Sequence, residues 1–160
     1  MLYLGFKVLH ILAVVMFLGN ITTGIFWKEH ADRSRDPRII AHALAGIIAA
    51  DRLFTVPGVL LIVLGGVGAA MVAHLPLLRT GWILWSLVLF TLSGFAFMGW
   101  LVPIQRRMHK LMQAGAASGQ PDWDAYHKLS RGWAFWGAVA LLLPLAAMVL
   151  MVLKPPLRGL

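Results

Sequence analysis

The chain of 160 residues contains no cysteine, which excludes disulfides, thiolate metal sites and cysteine nucleophiles. Charge is scarce too. Asp, Glu, Lys and Arg make up 12% of the residues, against roughly 25% in a typical soluble chain. Hydrophobic residues make up 60% and the mean hydropathy is +0.81. A water-soluble globule of this size could not cover itself with so little polar surface. Acidic residues are the scarcest charged class, six against fourteen basic, giving a formal net charge of +8. That surplus does not indicate a nucleic-acid partner, because the basic residues fall in short segments between apolar runs, where they orient membrane helices. P-loop, dinucleotide-glycine, nucleophile-elbow and metalloprotease motifs are all missing. Gly65-Gly66-Val67-Gly68 lies inside an apolar run and cannot cradle a phosphate.

What is present is a set of four apolar runs, each near the ~20 residues a bilayer crossing needs. The first, Leu4–Trp27, is broken only by Lys7, His10 and Asn20 and ends in an interfacial aromatic followed by charge. It reads as a retained helix, since a secretory signal has a shorter apolar region and a small-residue cleavage site. A polar stretch from Lys28 to Arg38 follows, with a turn at Ala31-Asp32-Arg33-Ser34. Asp36-Pro37 is a helix-start signal. Ile39, Ile40, Ala43, Leu44, Ile47 and Ile48 then recur with helical spacing. This predicts a cytoplasmic or interfacial helix over about 37–50, able to run directly into the second span, 53–74, with a kink at Pro57. The third span is Trp82–Ile104. Gln113–Pro121 reads as a flexible linker, and Asp122-Trp123-Asp124 opens a helix leading into the fourth span, Trp133–Leu153. The expected fold is therefore an all-α integral membrane four-helix bundle, one transmembrane domain over 1–160.

Lys28, Arg33, Arg35, Arg38 and Arg52 lie between the first two spans, and Arg106, Arg107, Lys110, Lys128 and Arg131 between the last two. Only Lys7, Arg79, Lys154 and Arg158 lie on the other side, four against ten. The positive-inside rule makes the rich segments cytoplasmic and turns both termini outward, to the periplasmic side of a bacterial inner membrane. Gly65/Ala69, Gly66/Ala70 and Gly19/Thr23 are spaced for close helix packing within the bundle or in a homodimer. Trp27, Trp82, Trp100 and Trp133 read as interfacial anchors.

An ionisable residue inside a span is a functional hypothesis by default. His10 is the leading candidate, with Lys7 three residues earlier on the same face. The bland alternative is that Lys7 snorkels to the headgroups while His10 hydrogen-bonds a neighbouring helix. A haem iron takes an axial histidine, often opposite a methionine or second histidine. Spans one and two run in opposite directions, so Met71 and His74 return to about the depth of Lys7 and His10. His10 with His74, or with Met71, is a possible pair, although His74 also reads as a plain loop residue before Pro76. Met16 and Met98 read as packing residues. His30, His42, His109 and His127, with Asp51, Asp122 and Asp124, match no zinc spacing and read as solvated loop residues. Asp51 and Arg52 point about 100° apart and should pair with other groups, in a structural role at the mouth of span two.

Leu4-Gly5-Phe6-Lys7-Val8-Leu9-His10-Ile11-Leu12, Trp27, Ala31-Asp32-Arg33-Ser34, Ala50 to Gly58 and Gly81-Trp82 together resemble a bacterial DUF2269-type family of predicted integral membrane proteins. That family is a domain of unknown function, and the likeness covers nearly the whole chain. The Lys7-x-x-His10 start is also similar to the first helix of the bacterial membrane protoporphyrinogen oxidase, and the copper-resistance D-type membrane proteins share the architecture. The oxidase resemblance implies haem b associated with His10. The oxidase family also carries a histidine within its third span, where Trp82–Ile104 has none. Three functions fit these readings, in this order. The first is haem binding or electron transfer through His10. The second is handling of copper or a small solute, with His10 as the metal ligand beside Met16 and Met71. The third is a structural or accessory subunit that assembles a partner membrane protein.

Overall fold

The computed structural model describes residues 1–160 as four long helices, each apolar and long enough to cross a bilayer. They are α1 (Leu2–Ser34), α2 (Pro37–Val72), α3 (Gly81–Ser118) and α4 (Trp123–Leu153). No strand forms; the only β-type pairing is an isolated bridge between Thr80 and Arg158. The four apolar spans were legible in the sequence, but the helices overrun them at one end. Residues 31–34 continue α1 and do not turn. The supposed flexible linker at 113–121 is mostly the end of α3, with Gly119 at φ +71° closing it. A left-handed backbone of that kind strains any residue with a Cβ. The two start signals hold: Asp36 accepts from Arg38 N–H at 2.8 Å and Asp122 from Ala125 N–H at 2.9 Å.

The helix expected over 37–50 forms and runs directly into the second span as the first half of α2. The disturbance foreseen at Pro57 takes the form of a π turn just upstream, Asp51–Thr55, where Val56 N–H reaches back to the Asp51 carbonyl. A second π turn, Phe97–Leu101, precedes Pro103 in α3 in the same way, with Val102 N–H bonded to the Phe97 carbonyl. In both helices Val-Pro follows the π turn. A proline ring collides with the carbonyl four residues back in a regular α-helix, and a π turn relaxes the ladder beside it. The two turns face each other: Asp51, Arg52 and Val56 share a small crevice with Phe97, Met98 and Val102.

Helix partners change at these turns. At the end bearing both termini, the terminal end, α1 packs on the second half of α2, and the first half of α3 packs on α4. Towards the end rich in Lys and Arg, the basic end, the first half of α2 packs on the second half of α3, and α1 and α4 close the sides. The larger core lies there, built from Ile40, Leu44, Met108, Met112, Tyr126 and Trp133 among others. Trp133 is 5% exposed, so it belongs to the core and is not the interfacial anchor its position in the sequence implied. Of the others, Trp27 and Trp100 are exposed, and Trp82 carries Lys154 Nζ over its ring at 5.4 Å.

Candidate functional site

His10 sits where α1 crosses α2. Its Nδ1 lies 2.7 Å from the Ile62 carbonyl, so Nδ1 carries the proton and donates it, leaving Nε2 with its lone pair. The helices touch backbone to backbone here: a Cβ on Gly65 would lie 2.8 Å from His10 N, and one on Gly66 3.0 Å from the His10 ring. Gly68 meets Phe6 in the same register. At about 1.5 Å per residue, Met71 is therefore roughly 8 Å beyond His10 along the axis and His74 roughly 12 Å beyond. Neither is brought to His10. Met71 is 68% exposed, and His74 is an exposed turn residue at φ 53°. Lys7 is exposed with its Nζ 5.9 Å from the centre of the Tyr3 ring. The hydrogen bond to a neighbouring helix, the bland alternative for His10, is thus what forms. Neither Met71 nor His74 is placed to serve as a second axial ligand to the imidazole. Nor do any three His, Asp or Glu side chains converge as a metal site would require.

The polar groups that do converge lie elsewhere. Asp51, the first residue of the α2 π turn, accepts hydrogen bonds from three donors on three helices. Asn20 of α1 donates to its Oδ1 at 3.3 Å, Thr55 of α2 to the same oxygen at 2.9 Å, and Gln105 of α3 to its Oδ2 at 3.0 Å. Asn20 also donates to Thr55 at 2.9 Å, and Trp133 of α4 donates its indole N–H to Gln105 Oε1 at 3.1 Å. A carboxylate only accepts and an indole only donates, so the Gln105 amide between them has one workable orientation. All four helices thus meet at one carboxylate. Asp51 does pair with other groups and not with Arg52, which points outward and is exposed. It lies inside the bundle, however, and not merely at its mouth.

The network forms the back wall of a cavity of about 580 Å³, within the usual range for small-molecule sites. Small residues leave this space open: a Cβ on Gly46 would touch nothing, and Gly24 and Gly137 have only loose neighbours. Ile21, Ile25, Ile47, Phe97 and Leu101 supply apolar walls. Thr23, Trp27, Ile39, His42, Gly46 and Phe54 both line the cavity and are exposed, so they rim an opening between α1 and α2.

Beside it stands the one fully buried charged residue. Lys28, 2% exposed, pairs with Asp32 at 2.7 Å, receives Ser130 of α4 as a hydrogen-bond partner and lies 5.2 Å from the centre of the Trp133 ring. Tyr126 donates to the other Asp32 oxygen. This cation is fully committed.

A conserved domain description covers this architecture: the predicted integral membrane proteins DUF2269 match residues 4–155. The chain belongs to the DUF2269 family. No curated protein and no solved structure matches it. Family membership makes this an integral membrane protein in a lipid bilayer, which accords with the four apolar helices. In this DUF2269 chain His30, His42, His109 and His127 stand on helices, not in loops, and His30 and His42 line the cavity. The sequence reading missed Thr55, Gln105 and Trp133 as site residues. The available signal was Asn20, an amide within an otherwise apolar run, which requires a buried partner.

Proposed function

We propose that this protein handles a small amphiphilic solute, binding it in the cavity between α1 and α2 with its polar group at Asp51. One observation carries the reading. A carboxylate held by three neutral donors closes the back of a largely apolar cavity whose rim is open to the side. Intramembrane carboxylates are costly and mark substrate or ion pathways, and a concave apolar site with a few convergent polar groups is the usual form of a ligand pocket. The side opening suits a solute that partitions first into the bilayer. By the positive-inside rule, the basic end faces the cytoplasm of a bacterial inner membrane and both termini face outward. The test is saturable quenching of Trp133 by brominated dodecanol in nanodiscs, measured as the difference from Trp133→Phe. Gly46→Phe, which fills the cavity, should abolish that quenching. Quenching that rises linearly and survives Gly46→Phe would sink the proposal.

A second reading keeps the haem. Donation from His10 Nδ1 to a backbone carbonyl leaves Nε2 available, the orientation that metal-ligating histidines adopt. His10 would then hold a haem b through Nε2. Reduced-minus-oxidised spectra of protein expressed with ample haem test this: a Soret band lost in His10→Ala supports it, and a flat spectrum ends it.

A further inference from the structure

We infer that the solute is a cation, an amphiphile with an ammonium head; this rests on the solute-binding reading above. The argument is an inventory of charge and hydrogen-bonding capacity around Asp51. A carboxylate has about four acceptor positions. Three are filled, two on Oδ1 and one on Oδ2, so one position on Oδ2 stays open.

The neighbouring donors are largely spent. Both Asn20 N–H groups are used, on Asp51 and Thr55, and the Thr55 hydroxyl and Trp133 indole are committed. Asn20 Oδ1 accepts from no protein group, and no sealed, unpartnered side-chain atom exists in the chain, so this oxygen faces open space. Gln105 keeps one N–H beyond its bond to Asp51, so the free capacity at this wall is mostly that of acceptors. An ammonium brings three donors and no acceptor. A carboxylate or phosphate head would bring only acceptors and a second negative charge.

The charge inventory agrees. No cation lies within ion-pair distance of Asp51, because the only salt bridges are those of Lys28, to Glu29 and Asp32. Arg52 and Arg106 line the small crevice that Asp51 and Gln105 also reach, yet neither pairs with Asp51. A half-buried charge without a countercharge carries an electrostatic cost, and a bound cation removes it. A bare metal ion is a poorer occupant. Hard cations need six or so oxygen ligands, and this wall offers three residues with oxygen ligands, Asp51, Asn20 and Gln105. The apolar remainder of the cavity calls for a hydrocarbon body behind the charged head.

The experiment compares three brominated twelve-carbon probes in zwitterionic nanodiscs: the amine, the alcohol and the carboxylate. Each is titrated against the Trp133 signal of the unaltered chain. The amine is expected to bind at least about tenfold more tightly than the alcohol, and the carboxylate more weakly than either. In Asp51→Asn the amine-to-alcohol ratio should fall to about one. Equal binding of amine and alcohol by the unaltered chain overturns the cation inference while leaving the cavity reading intact. A preference that persists in Asp51→Asn overturns it too. Saturable binding of none of the three removes both. The comparison on the unaltered chain decides the matter even where Asp51→Asn does not fold.

Discussion

The two ends of the bundle are held together by different physics. At the basic end the helices bury large side chains: Met108 and Met112 are fully buried, and Tyr126, Ile40 and Leu44 are 1% exposed. Ion pairs and the five-residue network around Asp51 connect the helices further. At the terminal end the core shrinks to Ala13, Phe17 and Ile62. Leu12, Val15, Leu64 and Val152 there are each more than 60% exposed. Lipid tails are as apolar as leucine, so burying leucine there gains little. Helices in that environment associate through close backbone approach and through side-chain bonds to carbonyls, as at Gly65 against His10. The basic end is held by large buried side chains and polar networks, the terminal end by close backbone contact. The π turns mark where one gives way to the other.

If this contrast is right, adding a methyl group should do most harm at the terminal end. Gly65→Val places a Cβ 2.8 Å from His10 N and 3.0 Å from its Cα. These are backbone atoms that can yield only by separating the helices. A loss of about 3 kcal/mol is expected, measured as the fall in thermal midpoint and in monodisperse yield in detergent. Gly94→Val, where a Cβ meets nothing within 4 Å, is the control and should change little. Similar losses at both positions would break the account of backbone contact.

At the basic end the damaging change is removal of polarity. Asp51→Leu leaves the Asn20, Thr55 and Gln105 donors without their common acceptor and should cost about 2 kcal/mol. Asp51→Asn should cost less, because its carbonyl still accepts. Thermal unfolding of the two variants side by side checks the order. An Asp51→Leu protein as stable as the unaltered chain would mean that the network contributes nothing net.

How much of this was legible beforehand depended on which interaction decided each element. Hydropathy alone located four spans because lipid rewards a run of apolar residues wherever it falls. It stopped short of Ser34 and Ser118 because polar residues on the solvated extensions of α1 and α3 look like loop in composition. Pro57 announced a disturbance in α2, yet whether a proline kinks a helix or widens it into a π turn is settled by what packs beside it. The site was less legible. His10 drew attention as the conspicuous ionisable residue of span one, but its one hydrogen bond satisfies it. Gln105 lies one residue past the apolar run ending at Ile104, outside every span. Its partnership with Asp51 spans 54 residues of sequence, and no local pattern encodes that pairing.

A smaller effect separates two explanations for serines inside apolar helices. Pro144 within α4 has no N–H, so the Ala140 carbonyl four residues back loses its helical partner. Ser93 of α3 donates to that carbonyl at 2.7 Å. Ser93→Ala should cost about 1 kcal/mol. In a Pro144→Ala background the helix satisfies Ala140 itself, and the same change should cost close to nothing. A double-mutant cycle on thermal stability reads the coupling. Additive losses would show that Ser93 serves packing alone.

The smallest expected effect falls on His10. Side-chain hydrogen bonds between membrane helices average about 0.6 kcal/mol, so breaking the bond to Ile62 with His10→Ala should lower stability by about that much. His109→Ala, outside the apolar spans, should lower it by less. The pair also divides the two functional readings. A His10→Ala protein that keeps saturable amphiphile binding, with only this slight loss of stability, places His10 among the contacts that join α1 to α2. Loss of a chromophore or of activity at the same small stability cost would make His10 a ligand, and Asp51 would then no longer be the only candidate centre in the bundle.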